Sequence, residues 1–302
     1  MITPIIKHIV CSGGGHTGFT YYGIMRETNK AGFWNIDNIE TIYATSVGSM
    51  FAVILALKYD WKTLDDYILK RPWQNVYKID MYSLIDSLTK RGIFDMKVMS
   101  DTFLPLFKGK DISIDITMKE FYEETKIDLH IFTTNLKDFS ITDISHKTHP
   151  DWKVIEAVYC SSALPVLFSP YVKDGICYCD GGLLLNYPLE NCVANGANLN
   201  EILAIRKEGF LCKNVGVETN QTLIEYVLTL INNVFRKLQF TQTYKDLSNE
   251  IVVESSTTTI ELIQAAINSA EERQRLIDFG VELANKYMAS ASLIGHSVDE
   301  LF

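Results

Sequence analysis

The sequence predicts an α/β fold in which a mainly parallel sheet carries helices on both faces. Two stretches near the start each combine a strand, a tight turn and a helix, with strands at 5–11 and 39–45 and helices at 19–31 and 49–57. This repeated unit is typical of parallel strands joined by crossover helices. Because 47% of the 302 residues are hydrophobic, the chain can bury a large core, which excludes intrinsic disorder.

The rest of the chain continues the alternation and then becomes mainly helical. The segment 60–124 is predicted to be helical, with breaks at prolines and glycines. The further predicted elements are strands at 127–134, 139–144, 176–179 and 201–206 and a helix at 154–161. In the C-terminal third, Leu223, Val227, Ile231, Val234 and Leu238 recur at helical spacing, as do Leu276, Leu283 and Tyr287. Both stripes predict helix faces turned toward the core.

Charge, cysteine content and hydropathy exclude several classes of function. With 28 basic and 37 acidic residues the net charge is −9, so nucleic acid is not the expected partner. The six cysteines include no C-x-x-C pair, which predicts reduced thiols and neither a metal site nor any other cofactor. The N-terminal segment lacks a signal-peptide pattern, and the longest apolar run, near 47–57, is too short to span a membrane. We therefore expect a cytoplasmic protein, with peripheral membrane contact left open.

The glycine-rich loop after the first strand has four interpretations. Its G-x-G-x-x-G spacing fits a dinucleotide site, which needs an acidic residue at the end of the second strand, about 20 positions on. Asp37 and Glu40 lie before the 41–45 stretch of that strand, at its wrong end, and Ser46 stands where the acid belongs. A P-loop is excluded because Phe19 replaces the required lysine. The loop therefore predicts either a tight turn or, as we favour, an oxyanion hole built from backbone N–H groups. Its residues are Gly13, Gly14, Gly15, His16, Thr17 and Gly18.

The turn after the second strand resembles a nucleophile elbow. The motif G-x-S-x-G places a serine on a strained strand-to-helix turn, where small neighbours avoid clashes. Here the turn reads Ala44, Thr45, Ser46, Val47 and Gly48, so alanine replaces the first glycine. Ser46 also precedes a helix, whose N-terminus favours negative charge. The pattern predicts that Ser46 is a nucleophile.

A serine nucleophile needs a base, and the residues alone leave its identity open. None of the six histidines follows a late strand with suitable turn residues. His16 is the histidine nearest the predicted chemistry in the sequence. Asp180 ends an apolar strand and precedes Gly181 and Gly182, which fits either a base or a simple turn residue.

Taken together, the three motifs resemble those of the patatin-like phospholipases, a family of lipid acyl hydrolases. The glycine loop, the Ser46 elbow and the Asp180–Gly181–Gly182 motif occur in the family's order. Further similarity lies in three short segments, which are Arg91–Asp95, Ala157–Pro165 and Asn186–Pro188, and in the C-terminal helix near 276–280. The resemblance spans about residues 5–290 and is densest over 5–195.

This resemblance implies a three-layer α/β/α fold with a catalytic core over 5–195. The C-terminal strand and helices, 196–302, are expected to pack on the same core as one structural domain. The resemblance also implies a catalytic dyad without histidine, in which Ser46 attacks an ester and Asp180 is the general base. Oxyanion N–H groups are expected from Gly13, Gly14 and Gly15. Thr17 stands where many relatives carry a basic residue, which leaves the preference between phospholipid and neutral lipid open.

The expected substrate is a lipid or phospholipid at a membrane surface, cleaved by a phospholipase A-type reaction. The sequence indicates no nucleotide and identifies no protein partner. Three alternatives stay open: a neutral-lipid or lysophospholipid esterase, an acyltransferase that uses the same acyl-enzyme, and a weakly active lipid-binding relative.

Overall fold

The computed structural model describes residues 5–209, 222–239, 247–255 and 258–299. The strands of this part are β1 (His8–Cys11), β2 (Thr41–Thr45), β3 (Gly92–Phe94), β4 (Asp128–Asn135), β5 (Ser140–Ile144), β6 (Val166–Phe168), β7 (Tyr171–Lys173), β8 (Ile176–Asp180), β9 (Ile202–Gly209) and β10 (Glu250–Ser255). The helices are α1 (Gly18–Lys30), α2 (Val47–Ala56), α3 (Trp61–Lys70), α4 (Met81–Lys90), α5 (Met96–Lys108), α6 (Met118–Thr125), α7 (Val154–Ser162), α8 (Leu189–Ala194), α9 (Leu223–Gln239), α10 (Ile260–Asn268) and α11 (Ala270–Asp299).

Eight of these described strands form one mixed sheet, which confirms the predicted fold class. Its order is β10–β9–β1–β2–β4–β8–β7, with β5 also paired to β4. The pairs from β10 through to β4 are parallel, whereas β5, β8 and β7 are antiparallel to their neighbours. β3 and β6 form a separate parallel pair. The carboxyl ends of β1 and β2 therefore lie side by side, and each leads into one of the predicted site loops.

The central strands are buried on both faces, as expected for parallel strands between layers of helices. Successive side chains of a strand alternate between faces. Accordingly Ile9 and Cys11 of β1 join the larger core, while Val10 joins a smaller core on the opposite face that includes Leu189 and Cys192 of α8. The two cores fix the register of β1, because a shift by one residue would exchange its two apolar sets.

The C-terminal part contributes both strands and helices to this arrangement. β9 matches the predicted strand at 201–206, but β10 was not predicted. α11 crosses α1 so closely that two glycines leave no room for a side chain. A Cβ at Gly23 would lie 2.2 Å from the Ile277 carbonyl oxygen, and a Cβ at Gly280 would lie 2.1 Å from the Thr20 carbonyl oxygen. The division at residue 195 stays a prediction.

The prediction that the apolar stripe of α9 faces the core was wrong. Leu223 is 71% exposed, and Val234 and Leu238 are also exposed. The buried side of α9 is formed instead around Leu228, while Phe235 lies against Gly182. The apolar stripe predicted on α11 does face the core, since Leu276 is buried and Leu283 and Tyr287 pack against the core.

Among the described residues, the helices are either too short or too polar to cross a bilayer.

Candidate active site

Ser46 occupies the sharp turn between β2 and α2. Its backbone has φ 55° and ψ −128°, a conformation that is costly for a residue with a side chain, by about 1–3 kcal/mol. α2 begins at the next residue, two positions before the predicted start. Gly48 is required at this turn, because a Cβ there would lie 2.7 Å from the Cys11 carbonyl oxygen and 2.8 Å from that of Ser12. The geometry is that of a nucleophile elbow.

The strained turn is held by two hydroxyl groups. The Ser46 amide donates to the Ser161 hydroxyl at 2.8 Å, and that hydroxyl donates to the Phe132 carbonyl oxygen at 2.6 Å. The Ser49 hydroxyl donates to the Ser46 carbonyl oxygen at 2.6 Å. Ser161 belongs to a segment noted in the sequence, but no signal there indicated that it would hold the elbow.

Asp180 lies directly beside Ser46. The Ser46 hydroxyl donates to Asp180 Oδ2 at 2.7 Å, although the two residues are 134 positions apart. The other carboxylate oxygen, Oδ1, accepts from the Gly182 amide at 2.7 Å. Gly181 lets the chain turn at this point, since a Cβ there would lie 2.2 Å from the Phe132 carbonyl oxygen. The structure thus brings the predicted nucleophile and the predicted base into one hydrogen-bonded pair.

Burial makes Asp180 a stronger base than an exposed carboxylate. Asp180 is only 4% exposed, and this burial raises the pKa of its carboxyl group to about 6. The hydrogen bonds from Ser46 and Gly182 favour the charged form and partly oppose the shift.

His16, the alternative base, is not bonded to Ser46. Its side chain is buried, and its Nδ1 has no hydrogen-bond partner among the described residues. Burial, followed by the charge of Lys207, lowers the pKa of His16 to about 4. His130 and His146 are bonded to Asp128, at the opposite end of β4 from the residues that pair with β8. The described side chains therefore offer Asp180, and no histidine, as a hydrogen-bond acceptor for Ser46.

The glycine loop between β1 and α1 corrects one part of the prediction. The Gly13 amide donates to the Asn186 carbonyl oxygen at 3.0 Å, so it is not free to bind an oxyanion. Among the described residues, the amides of Gly14 and Gly15 have no such acceptor. Two of the three predicted donors remain available.

Asn186 links the glycine loop to the Asp180 turn. Its Nδ2 donates to the Gly13 carbonyl oxygen at 3.3 Å. Its Oδ1 would lie 2.4 Å from a Cβ at Gly13 and 2.8 Å from a Cβ at Gly182. Two glycines of separate motifs therefore make room for the side-chain amide of one asparagine. The sequence placed Asn186 in a short motif but gave it no role.

The dinucleotide interpretation is not supported by the positions of the acidic residues. Asp37 lies in a short turn before β2, and Glu40 directly precedes that strand. Glu40 forms an ion pair with Lys7 at 3.9 Å. Both residues lie at the amino end of β2, whereas the glycine loop follows the carboxyl end of β1. In the part of the chain that the structure describes, no three His, Cys, Asp or Glu side chains group as a metal site requires.

Two curated viral proteins are similar to this chain. Uncharacterized protein R571 of Acanthamoeba polyphaga mimivirus is 27% identical over 184 residues, which are 61% of this chain and 60% of that protein. Probable lipid hydrolase 463L of Invertebrate iridescent virus 6 is 25% identical over 186 residues, which are 61% of this chain and 62% of that protein. The matches thus span less than two thirds of each relative's length.

The fold is also found in a solved structure. The crystal structure of VipD from Legionella pneumophila superposes with a TM-score of 0.50 at 19% identity, covering 91% of this chain and 67% of VipD. At this identity the likeness shows the shared fold. The profile of the patatin-like phospholipase family matches residues 9–193, which include the glycine loop, Ser46 and Asp180. Because this match covers more than half of the chain, the protein belongs to the patatin-like phospholipase family.

Proposed function

We propose that this protein is a lipid acyl hydrolase in which Ser46 is the nucleophile and Asp180 is the general base. The observation that carries the proposal is the 2.7 Å hydrogen bond from the Ser46 hydroxyl to Asp180, at a strained elbow that precedes a helix. Membership of the family and the name of the iridescent virus relative, a probable lipid hydrolase, support the substrate class.

The reaction proceeds in two steps. Asp180 Oδ2 accepts the Ser46 hydroxyl proton while the serine oxygen bonds to the ester carbonyl carbon and the carbonyl oxygen becomes negatively charged. When this intermediate collapses, the ester C–O bond breaks and the departing alcohol takes the proton from Asp180. Water then attacks the acyl-enzyme in the same way, which releases the fatty acid and restores both side chains.

The pKa of Asp180 is matched to this cycle. A carboxylate with an ordinary pKa near 3.9 holds a proton weakly at neutral pH. Burial raises the pKa of Asp180 to about 6, so the group is mostly ionised at pH 7 and still accepts a proton more readily than an exposed aspartate. Accepting the proton also neutralises a buried charge.

The amides of Gly14 and Gly15, which have no acceptor among the described residues, are the proposed oxyanion donors. Backbone N–H groups at a fixed position stabilise developing negative charge without reorganising during the reaction. Gly13 has a different role, since its amide is occupied and its lack of a side chain makes room for Ser46 and Asn186.

We further propose phospholipase A-type cleavage of lipids at a membrane surface. Thr17 does not itself provide a head-group contact, because it is buried and its hydroxyl donates to the Gly14 carbonyl oxygen at 2.6 Å. The choice between phospholipid and neutral lipid therefore rests on residues other than Thr17.

A fluorophosphonate probe tests the nucleophile directly, because it labels an activated serine covalently. The wild type should be labelled and Ser46→Ala should not. Ser162→Ala is a matched control, since it removes a buried hydroxyl that has no hydrogen-bond partner among the described residues and leaves the Ser46–Asp180 pair in place; it should still be labelled. Labelling of Ser46→Ala, or none of the wild type, would refute the proposal.

Product analysis tests the substrate class. Phosphatidylcholine vesicles and a triacylglycerol emulsion are incubated with wild type and Ser46→Ala, and released fatty acids and lysophospholipids are quantified. Fatty acid and lysophospholipid from the vesicles support phospholipase A activity. Release from the emulsion alone would support the neutral-lipid alternative.

A further inference from the structure

Lys207 lies behind the glycine loop although it is far from it in sequence. It is on β9, the parallel neighbour of β1, and its amide donates to the Ser12 hydroxyl at 2.8 Å. Its ammonium group donates to the Thr258 hydroxyl at 3.1 Å and to the Gly14 carbonyl oxygen at 3.4 Å. Within the described residues, no carboxylate lies within 4.0 Å of this ammonium group. A positive charge is thus held against the loop by neutral acceptors.

The Gly14 carbonyl oxygen is surrounded by donors. Besides Lys207, it accepts from the Thr17 hydroxyl at 2.6 Å, the Thr258 hydroxyl at 3.2 Å and the Thr17 amide at 3.3 Å. In a trans peptide the C=O and N–H bonds lie in one plane and point in opposite directions. Donors that fix the Gly14 carbonyl therefore also fix the direction of the Gly15 N–H, which points away from them.

We propose that Lys207 is a positioning residue whose positive charge, acting through the Gly14–Gly15 peptide, strengthens the Gly15 N–H as an oxyanion donor. A cation bound to the carbonyl oxygen draws electrons toward that side of the peptide, which leaves the N–H hydrogen more positive. The same contact holds the peptide in one orientation while negative charge develops on the substrate. The inference rests on the proposed hydrolase function and adds to it a residue that none of the three sequence motifs contains.

The charge of Lys207 can be followed by pH. Burial lowers the pKa of Lys207 to about 8. Of the titratable groups on this side of the loop, His16 has a pKa near 4, whereas burial raises the pKa of Tyr21 above its usual range. Burial likewise raises the pKa of Cys11 on β1 above its usual range.

The remaining neighbours keep their charge over the same range. Glu272 and Arg275 of α11 form an ion pair. This pairing lowers the pKa of Glu272 and raises the pKa of Arg275. On the sheet, Lys207 pairs with the uncharged Val253 of β10. Between pH 7 and pH 10, Lys207 is therefore the group of this set that loses its charge.

The experiment compares wild type, Lys207→Met and Thr258→Val with a soluble short-chain ester from pH 7 to pH 10. At pH 7, Lys207→Met should lower kcat by about 10–100-fold, less than the loss of a direct oxyanion donor, with KM changed less than about threefold. The wild-type kcat should fall as pH rises through about 8, so the ratio of wild type to Lys207→Met should shrink at least fivefold by pH 10. Thr258→Val removes a neutral donor to the same carbonyl and one acceptor of the ammonium group but keeps the charge, so its kcat should fall less than that of Lys207→Met and should still decline as pH rises.

The outcomes separate this proposal from the proposed function. A ratio that stays constant with pH would overturn the role of the charge and leave a packing role only. If Lys207→Met does not fold, the wild-type profile decides, because a kcat that is flat to pH 10 contradicts the proposal. Failure of the hydrolase function itself would appear as equal activity of wild type and Ser46→Ala, whatever Lys207 does.

Discussion

The Ser46 amide is bound by the hydroxyl of Ser161, a residue 115 positions away on α7, at 2.8 Å. The same hydroxyl donates to the Phe132 carbonyl oxygen on β4. One buried side chain therefore joins the elbow to the adjacent strand, and it satisfies an amide that the sharp turn removes from regular pairing. The nucleophile is fixed from behind by a residue that does not contact the reacting atoms.

Ser161→Ala should lower the free energy of unfolding by about 1–3 kcal/mol, because it leaves a buried amide and a buried carbonyl without their partner. It should also reduce kcat while KM changes little, since the elbow is less well fixed. Urea unfolding and steady-state kinetics measure both effects. Unchanged stability and unchanged kcat would show that the bridge is dispensable.

Ser46→Ala should abolish ester hydrolysis and leave the protein folded. The substitution removes one hydroxyl from a turn and creates little cavity, so the free energy of unfolding should change by less than about 1 kcal/mol. Hydrolysis assays and thermal unfolding of the same preparation test this. Residual activity above roughly a thousandth of the wild type would contradict the nucleophile assignment.

Asp180→Asn should lower kcat by about a thousandfold or more, because asparagine has similar size but does not accept the serine proton. His16→Ala is the matched comparison and should cost less than about tenfold, since His16 is not bonded to Ser46. The dyad is wrong if His16→Ala is as inactive as Ser46→Ala while Asp180→Asn keeps most of its activity.

The acid side of the pH profile should report Asp180. Its pKa is raised to about 6, so kcat/KM should fall as pH decreases through about 6, where the base becomes protonated. The raised pKa also means that the folded state binds this proton more tightly than the unfolded state, so ionised Asp180 destabilises the fold at neutral pH. Asp180→Asn should therefore not lower, and is expected to raise, the melting temperature at pH 8. An activity profile that is flat down to pH 4.5 would contradict the assignment.

The contribution of His130 to the stability of the fold should be lost at alkaline pH. Burial disfavours its charge, but hydrogen bonds to Asp128 and Asp143 outweigh burial and raise the pKa of His130 to about 9. Since its unfolded pKa is near 6.5, the contribution to stability is complete below pH 6.5 and is lost as pH rises through about 9. Urea unfolding of the wild type and of His130→Gln from pH 6 to pH 10 should show that the difference in stability between the two proteins shrinks over this range; Lys207, which loses its charge over part of the same range, is common to both and cancels from the difference. His149→Gln is a control on a more exposed histidine and should keep the wild-type slope.

Much of the fold and the central pair of the site were predictable from local sequence. Strand–turn–helix units, the small residues around Ser46 and the glycines after Asp180 are short-range patterns, because strand alternation and turn conformation restrict which residues fit. These patterns predicted the mainly parallel sheet, and their ordered set indicated the family. They did not predict β10, and the apolar spacing in α9 suggested a buried face that is partly exposed.

Only the tertiary structure decided which groups are free and which are occupied. The Gly13 amide is bonded to Asn186, the Ser46 amide to Ser161 and the Gly14 carbonyl to Lys207, and each partner comes from a distant part of the chain. The raised pKa of Asp180 likewise depends on burial by the surrounding elements. The physical reason is that the sequence specifies which donors, acceptors and charges exist, whereas their pairing and their exposure to water depend on how distant strands and helices pack together.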